Sequence, residues 1–269
     1  MTGDDTGSTG STDGAGSTDG LRSRDKNVRL DAAVAIGTAG DADRLDDLVS
    51  ALASERDFFV REMLVWALVR IGPAAVPSLA DLLGTGPVEA ALAAVQVMGK
   101  LGDPAAVPAL LDALPAADPG LRDRIVFSLG QIGDPATVPV LVALIGRTSE
   151  ESTTTLVSAI ESFGEDAFDE LVARRSDPDA EVRAQVVDLL GFIGSPRAVA
   201  PLADAVGDHH PEVRVRALTA LTGTLPAVSG PAHEQERRRA TAAVREAVQD
   251  TDRRVQLLAR RVLELSAAV

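Results

Sequence analysis

EVRAQVVDLLGFIGSPRAVAPLADAV, residues 181–206, contains the building rule of the whole chain. Val182, Val186, Leu189, Leu190 and Ile193 fall at i, i+4, i+7, i+8 and i+11, which places them on one face of an α-helix. Gly194 ends that helix, and Ser195-Pro196 opens the next. A Ser at the cap accepts from orphan N–H groups, and Pro suits the first helical position. Asp103-Pro104 and Asp134-Pro135 repeat this start, followed by apolar stripes such as Val107, Leu110, Leu111 and Leu114, or Val138, Leu141, Val142 and Ile145. A polar linker of the kind Ser176-Asp177-Pro178-Asp179 closes the unit.

The same unit recurs outward from this stretch in both directions. A Gly after a short apolar pair stands at Gly40, Gly72, Gly102, Gly133, Gly164 and Gly194, at spacings of 32, 30, 31, 31 and 30, and Leu225 holds the seventh place. Twelve residues earlier stands an apolar residue followed by Arg: Val28-Arg29, Val60-Arg61, Leu121-Arg122, Val182-Arg183 and Val213-Arg214. Ala90 and Ser152 fill that slot in the third and fifth units. Each unit is two helices of roughly 12 residues, and neither can bury its stripe without a neighbour. The expected fold is therefore an all-α solenoid of about seven two-helix repeats over residues 23–269. An insertion is expected near 225–233, then a helix over 234–249 and a terminal capping helix over 252–266. Residues 1–22 are almost wholly Gly, Ser, Thr and Asp and have no packable face, so they are expected to form a disordered tail.

Strings such as 181–206 and LRDRIVFSLGQIGDPATVPVLVALI (121–145) resemble HEAT-like repeats of the phycobilisome-lyase type. The resemblance covers about 25–269, and several independent landmarks recur in register. It implies the α-solenoid fold, and it implies that the second helix of each pair, here the one with the apolar-Arg landmark, lines a concave face. It leaves function open, because this fold serves many roles.

Composition narrows the chemistry. With no Cys there is no disulfide framework, thiolate nucleophile or Cys-ligated metal. No charged segment precedes an apolar one in the manner of a signal peptide, and no run of 18 apolar residues reads as a membrane span, so a cytoplasmic protein is expected. A net charge of −14 argues against nucleic acid as a partner, since phosphate binding draws on clustered Lys and Arg. Two Lys stand against 24 Arg, and 26 Asp against 14 Glu. That balance resembles proteins of salt-accumulating halophilic archaea, where a Debye length of about 3 Å in molar salt lets dense carboxylates coexist.

No constellation carries catalysis. His209 and His210 are adjacent in a linker and lack the i, i+4 spacing that converges on one metal ion. A His-Glu pair on such repeats resembles the iron sites of deoxyhypusine hydroxylase, but that family needs several pairs and His233-Glu234 stands alone. No phosphate-binding Gly loop and no GxSxG is present. Neither metal nor cofactor is expected, and the chain is read as a non-enzyme. The recurring Arg is expected to pair with acidic linker residues along the stack. The C-terminal stretch 231–269, with eight Arg against six acids, reads as a solvated face laced with i, i+4 pairs.

The landmark helix therefore bears the expected partner site. With the landmark apolar residue as position 0, its non-core positions are −2, −1, +2, +3, +6 and +10. Six slots in a 31-residue unit would take roughly one or two of the seven aromatics by chance, yet five occupy them: Phe58, Phe59, Trp66, Phe127 and Phe192. Met63, Arg70, Lys100 and Arg124 lie on the same stripe, which makes it aromatic and mostly basic. The expected function is a protein-binding scaffold or adaptor, acting as a monomer and holding another protein in the concave groove. The alternative that the resemblance implies is an auxiliary subunit of a tetrapyrrole lyase-like system.

Overall fold

In the computed structural model of the chain, the described residues are 18–228 and 233–267. They are helical throughout, with short turns, and form an all-α solenoid of two-helix repeats. Two compact units divide it, one ending at Ile132 and the other beginning at Gly133.

In the first unit, helices α2 (Lys26–Ala39), α4 (Phe58–Ile71), α6 (Val88–Leu101) and α8 (Pro119–Ile132) carry the landmark and pack one on the next. Helices α1 (Thr18–Leu21), α3 (Leu45–Ser54), α5 (Val76–Thr85) and α7 (Val107–Ala113) form a second layer over them. Leu48, Leu64, Leu68, Leu79 and Leu129 are fully buried between the layers, as the 3.6-residue stripe requires. The second unit repeats the arrangement with landmark helices α10 (Glu150–Glu161), α12 (Ala180–Ile193) and α14 (Pro211–Ala227). Its other layer contains α9 (Val138–Ala143), α11 (Phe168–Arg174), α13 (Val199–Ala205) and α15 (Glu234–Ala247), and α16 (Arg253–Ala267) packs on α14.

Most of the tail expected over 1–22 lies outside the described residues. Within them, Thr18–Leu21 is already a helical turn and Leu21 is buried, so the packed structure starts earlier than position 23. Residues 229–232 of the expected insertion are likewise outside the described set. α14 runs through Leu225 to Ala227 with Pro226 inside it, so the helix extends past the point where the repeat breaks.

The repeat glycines Gly40, Gly72, Gly102, Gly133 and Gly194 close the landmark helices with positive φ, from 63° at Gly40 to 93° at Gly72, whereas α10 ends at Ser162 and Gly164, at 52°, opens the next 3-10 turn. Only Gly adopts that geometry without strain. Asp103, Asp134 and Ser195 then accept from the backbone N–H two residues on, at 2.8, 3.0 and 3.2 Å. The first turn after each cap is 3-10 before the α-helix proper begins.

The landmark Arg links successive linkers, and its register recurs. In four repeats it donates to the carbonyl six residues before it: Arg29 to Ser23, Arg61 to Glu55, Arg183 to Asp177 and Arg214 to Asp208. Arg122 donates to Ala117 instead, and Gln256 of α16 bonds Asp250 in the common register. Three of these Arg also reach a carboxylate at position −5 of the following repeat. Arg29 meets Glu55 at 2.7 and 3.0 Å, Arg183 meets Asp208 at 2.8 and 2.9 Å, and Arg214 meets Asp250 at 2.8 Å. One linker residue thus offers its carboxylate to the Arg behind and its carbonyl to the Arg ahead.

A second regularity lies at position +9, where Gly37, Gly99 and Gly191 let the next landmark helix come close. An added Cβ at Gly99 would sit 2.6 Å from Ser128 Oγ, and one at Gly191 would sit 2.5 Å from Ala220 Cβ. Ser128 cannot give way freely, since it is buried and donates to the Val95 carbonyl at 3.1 Å. In an open helix, Gly→Ala would gain about 1 kcal/mol. Gly99→Ala is expected instead to lower stability by about 1–2 kcal/mol through overpacking, read by urea unfolding. A gain in stability would show that α6 and α8 are not held this close.

Candidate interaction face

The face of interest in the first unit is built by α4, α6 and α8. Asp57 starts α4 by accepting from the N–H groups of Phe59 and Val60 at 3.0 and 3.3 Å. That cap fixes where the helix starts, and burial of its apolar stripe fixes which side faces inward. Val60, Leu64, Ala67 and Leu68 turn into the core, and Phe59, Met63, Trp66 and Arg70 line the other side.

The five aromatics of the sequence argument are the exposed ones among the described residues. Phe58 is 63% exposed, Phe59 67%, Trp66 37%, Phe127 47% and Phe192 63%, whereas Phe163 and Phe168 are buried. The Phe58 and Phe59 rings meet edge to face, with centroids 5.6 Å apart at 78°. Trp66 does not stand free. A Cβ on Gly37 of α2 would lie 2.4 Å from Trp66 Cζ3 and 2.8 Å from Cε3, so the indole rests on the bare backbone of the preceding landmark helix. The ring is thus packed against α2, and only part of the side chain meets solvent.

Met63 is half-buried, and Arg70 is exposed in the last turn of α4, where a cation suits the helix C-terminus. Arg124 and Phe127 are exposed on α8. Lys100 is also exposed, but it is not a free cation. Its Nζ lies 4.0 Å from Glu62 Oε2, and Gln96 donates to the same carboxylate at 3.2 Å. Glu62 was missed as part of this face, and it makes the α4–α6 side less basic than the stripe of Arg70 and Lys100 suggests. Its signal was present in the repeat alignment, since Glu62 at +2 faces Gln96 at +6 of the next unit. Gly37 was missed as the seat of Trp66.

Phe192 belongs to the second unit and has different surroundings. On its own helix it follows Gln185 and Asp188, and Asp188 pairs with Arg216 of α14. Burial pushes the Asp188 carboxyl above its ordinary value, although the Arg216 bond opposes this. Phe58, Phe59, Met63, Trp66, Arg70, Lys100, Arg124 and Phe127 therefore all belong to the first unit, and Phe192 belongs to the second.

The remaining charged groups pair between linkers. His209 Nε2 lies 3.1 Å from Arg183 Nη2 at the edge of the Arg183–Asp208 pair. Burial raises the Asp208 carboxyl, but bonds from Arg183 and the His210 N–H outweigh it and hold the group below the usual carboxylate range. Glu55 is held low in the same way by Arg29 and the Asp57 N–H, again against burial. Bonding to Arg214 is the main cause of the lowered Asp250 carboxyl. No three His, Asp or Glu side chains among the described residues converge on a point that could hold a metal ion. No single helix among them is long and apolar enough to cross a membrane.

Stacked helix pairs, an Arg–carboxylate ladder and an exposed aromatic face define a helical-repeat protein. The family model of HEAT repeats matches residues 16–94, 87–161 and 168–264, and the chain belongs to the HEAT-repeat family. Among solved structures it is similar to the complex of CpcE and CpcF of phycocyanin lyase from Nostoc sp. PCC7120. That likeness has 25% identity and a TM-score of 0.46, over 51% of this chain and 81% of that one. Human deoxyhypusine hydroxylase is similar at 18% identity and a TM-score of 0.36, over 87% of this chain and 100% of that one. A designed armadillo repeat protein in complex with the peptide (KR)4 matches at 18% identity and a TM-score of 0.38, over 93% and 97%. No curated protein matches the chain.

Proposed function

We propose that this chain is a non-catalytic scaffold that holds another protein against the exposed face of α4, α6 and α8. The observation that carries this reading is the exposure on α4 and α8 of Phe58, Phe59, Trp66 and Phe127, in a chain with only seven aromatics. Exposed aromatic side chains supply large contact area at low entropic cost, and Trp and Arg dominate interface energetics. Arg70 and Arg124 beside them suit a partner that offers carboxylates next to apolar side chains. The net charge of −14 supports a protein partner over nucleic acid. The same reading has the chain acting as a cytoplasmic monomer without cofactor. Its acidic, Lys-poor composition supports molar salt as the working solvent.

The test is affinity capture from the native cell in about 0.1 M and in molar potassium chloride, spanning a wide range of screening. The intact chain is compared with the Trp66→Ala/Phe127→Ala variant. A protein retained by the intact chain and lost with the variant supports the reading. Equal retention by both removes the aromatic face from it, and a co-purifying tetrapyrrole in place of a protein overturns it.

A further inference from the structure

We propose that the Arg61 guanidinium is an open rung of the Arg ladder and receives a carboxylate from a bound ligand. Where the ladder is complete, its own geometry shows what belongs in that place. Arg29, Arg183 and Arg214 each hold the carboxylate of Glu55, Asp208 or Asp250 at position −5 of the next repeat. The repeat after Arg61 has Thr85 at that position, and its hydroxyl donates back to the Asp81 carbonyl at 2.8 Å.

Arg61 is otherwise seated like the others, with Nη2 on the Glu55 carbonyl at 3.0 Å. Its Nε, the atom that meets the carboxylate in Arg29, Arg183 and Arg214, is buried without a hydrogen bond, and unlike Arg214 Nε, which lies 2.8 Å from Asp250 Oδ2, it has no carboxylate in ion-pair reach among the described residues. A buried N–H of a cation without an acceptor is costly, so an arriving carboxylate gains both a charge and a missing bond. Space for it exists. An open cavity of about 520 Å³ lies at Arg61, lined by Leu52, Glu55, Arg56, Pro87 and Glu89 among others.

The nearby acids do not fill the slot. The Glu55 carboxylate is engaged by Arg29 and by the N–H groups of Arg56 and Asp57. Glu89 is exposed at the start of α6, and Arg61 Nε donates no bond to it among the described residues. The ligand class is a carboxylate, either a small organic acid or the side-chain or C-terminal carboxylate of a partner chain. This site lies at the linkers and is independent of the aromatic face.

The experiment follows the Arg61 Nε–Hε signal by 15N NMR of the full chain, assigned by its loss in Arg61→Lys. Sodium acetate is titrated at constant ionic strength against sodium chloride. In further arms, a blocked peptide with one Asp and a peptide with only a free C-terminus replace acetate. The expected result is a saturable downfield shift with at least one carboxylate and none with chloride, and the responding arm identifies the source. Thr85→Asp, and Thr85→Glu if the shorter acid does not reach, is expected to show the shifted signal without ligand and no further response. No saturable shift in any arm overturns the proposal. So does a signal that moves in ligand-free Glu89→Gln, because Glu89 would then already occupy the slot.

Discussion

Asp208→Ala is expected to destabilise the second unit by about 3–5 kcal/mol, because it leaves the buried Arg183 guanidinium without its counter-charge. Arg183 gives Nε and Nη2 to Asp208 and Nη1 to the Asp177 and Pro178 carbonyls. After the substitution, the carbonyl bonds remain and the counter-charge does not. A double-mutant cycle with Arg183→Met checks the origin of the loss. The double variant is expected to be more stable than Asp208→Ala alone, since no uncompensated charge is then buried. Simple additivity would show that the pair contributes no coupling. The sign of the pH dependence follows from the same bond. The Asp208 carboxyl titrates below its unfolded value of about 3.9, so its contribution is present above that value and is lost as pH falls through the lower folded one. Glu55 and Asp250 are shifted in the same direction. Melting temperature is therefore expected to fall in that acid window, and the fall is expected to be smaller in the Asp208→Asn variant.

Leu68→Ala and Trp66→Ala, two residues apart on α4, are expected to fail in different assays. Leu68 is fully buried, and its truncation is expected to cost about 2–5 kcal/mol by transfer and cavity terms. Trp66 is 37% exposed. Helix periodicity alone predicts almost no folding cost there, but the seat on Gly37 changes that expectation. The ring is packed against α2 but stays partly exposed, so the cost is expected to be about 1–2 kcal/mol, below the 3–5 of a fully buried Trp. For partner binding the order reverses, with about 2 kcal/mol or more lost for Trp66→Ala if it anchors the interface. Thermal unfolding and partner capture of both variants decide the matter. Unfolding by Trp66→Ala at the level of Leu68→Ala would make the indole a core residue and remove it from the interaction face.

The two-helix repeat was legible because it is local. Spacings of Gly, Pro-starts and apolar positions are set by helix geometry within about 31 residues, and the structure places the same caps and buried stripes there. The ladder was legible in outline, since a recurring Arg beside an apolar landmark calls for acceptors. Its partners were not, because the carbonyl six residues back and the carboxylate one repeat on are fixed only when linkers stack.

The aromatic face divides in the same way. Which aromatics stand off the apolar stripe follows from 100° per residue, a property of one helix by itself. What each one touches depends on how close two helices come. That distance is set by Gly37 under Trp66 and by Gly99 under Ser128, across about 30 residues of chain. Likewise, the pairing of Lys100 with Glu62 and the lack of a hydrogen bond at Arg61 Nε arise only between repeats. The helices, their caps and the sides they bury follow from the local pattern of residues, because these depend on short-range hydrogen bonding and periodicity. The tertiary structure decided which charges are spent and which surfaces stay open, because those depend on the side chains that stacking brings face to face.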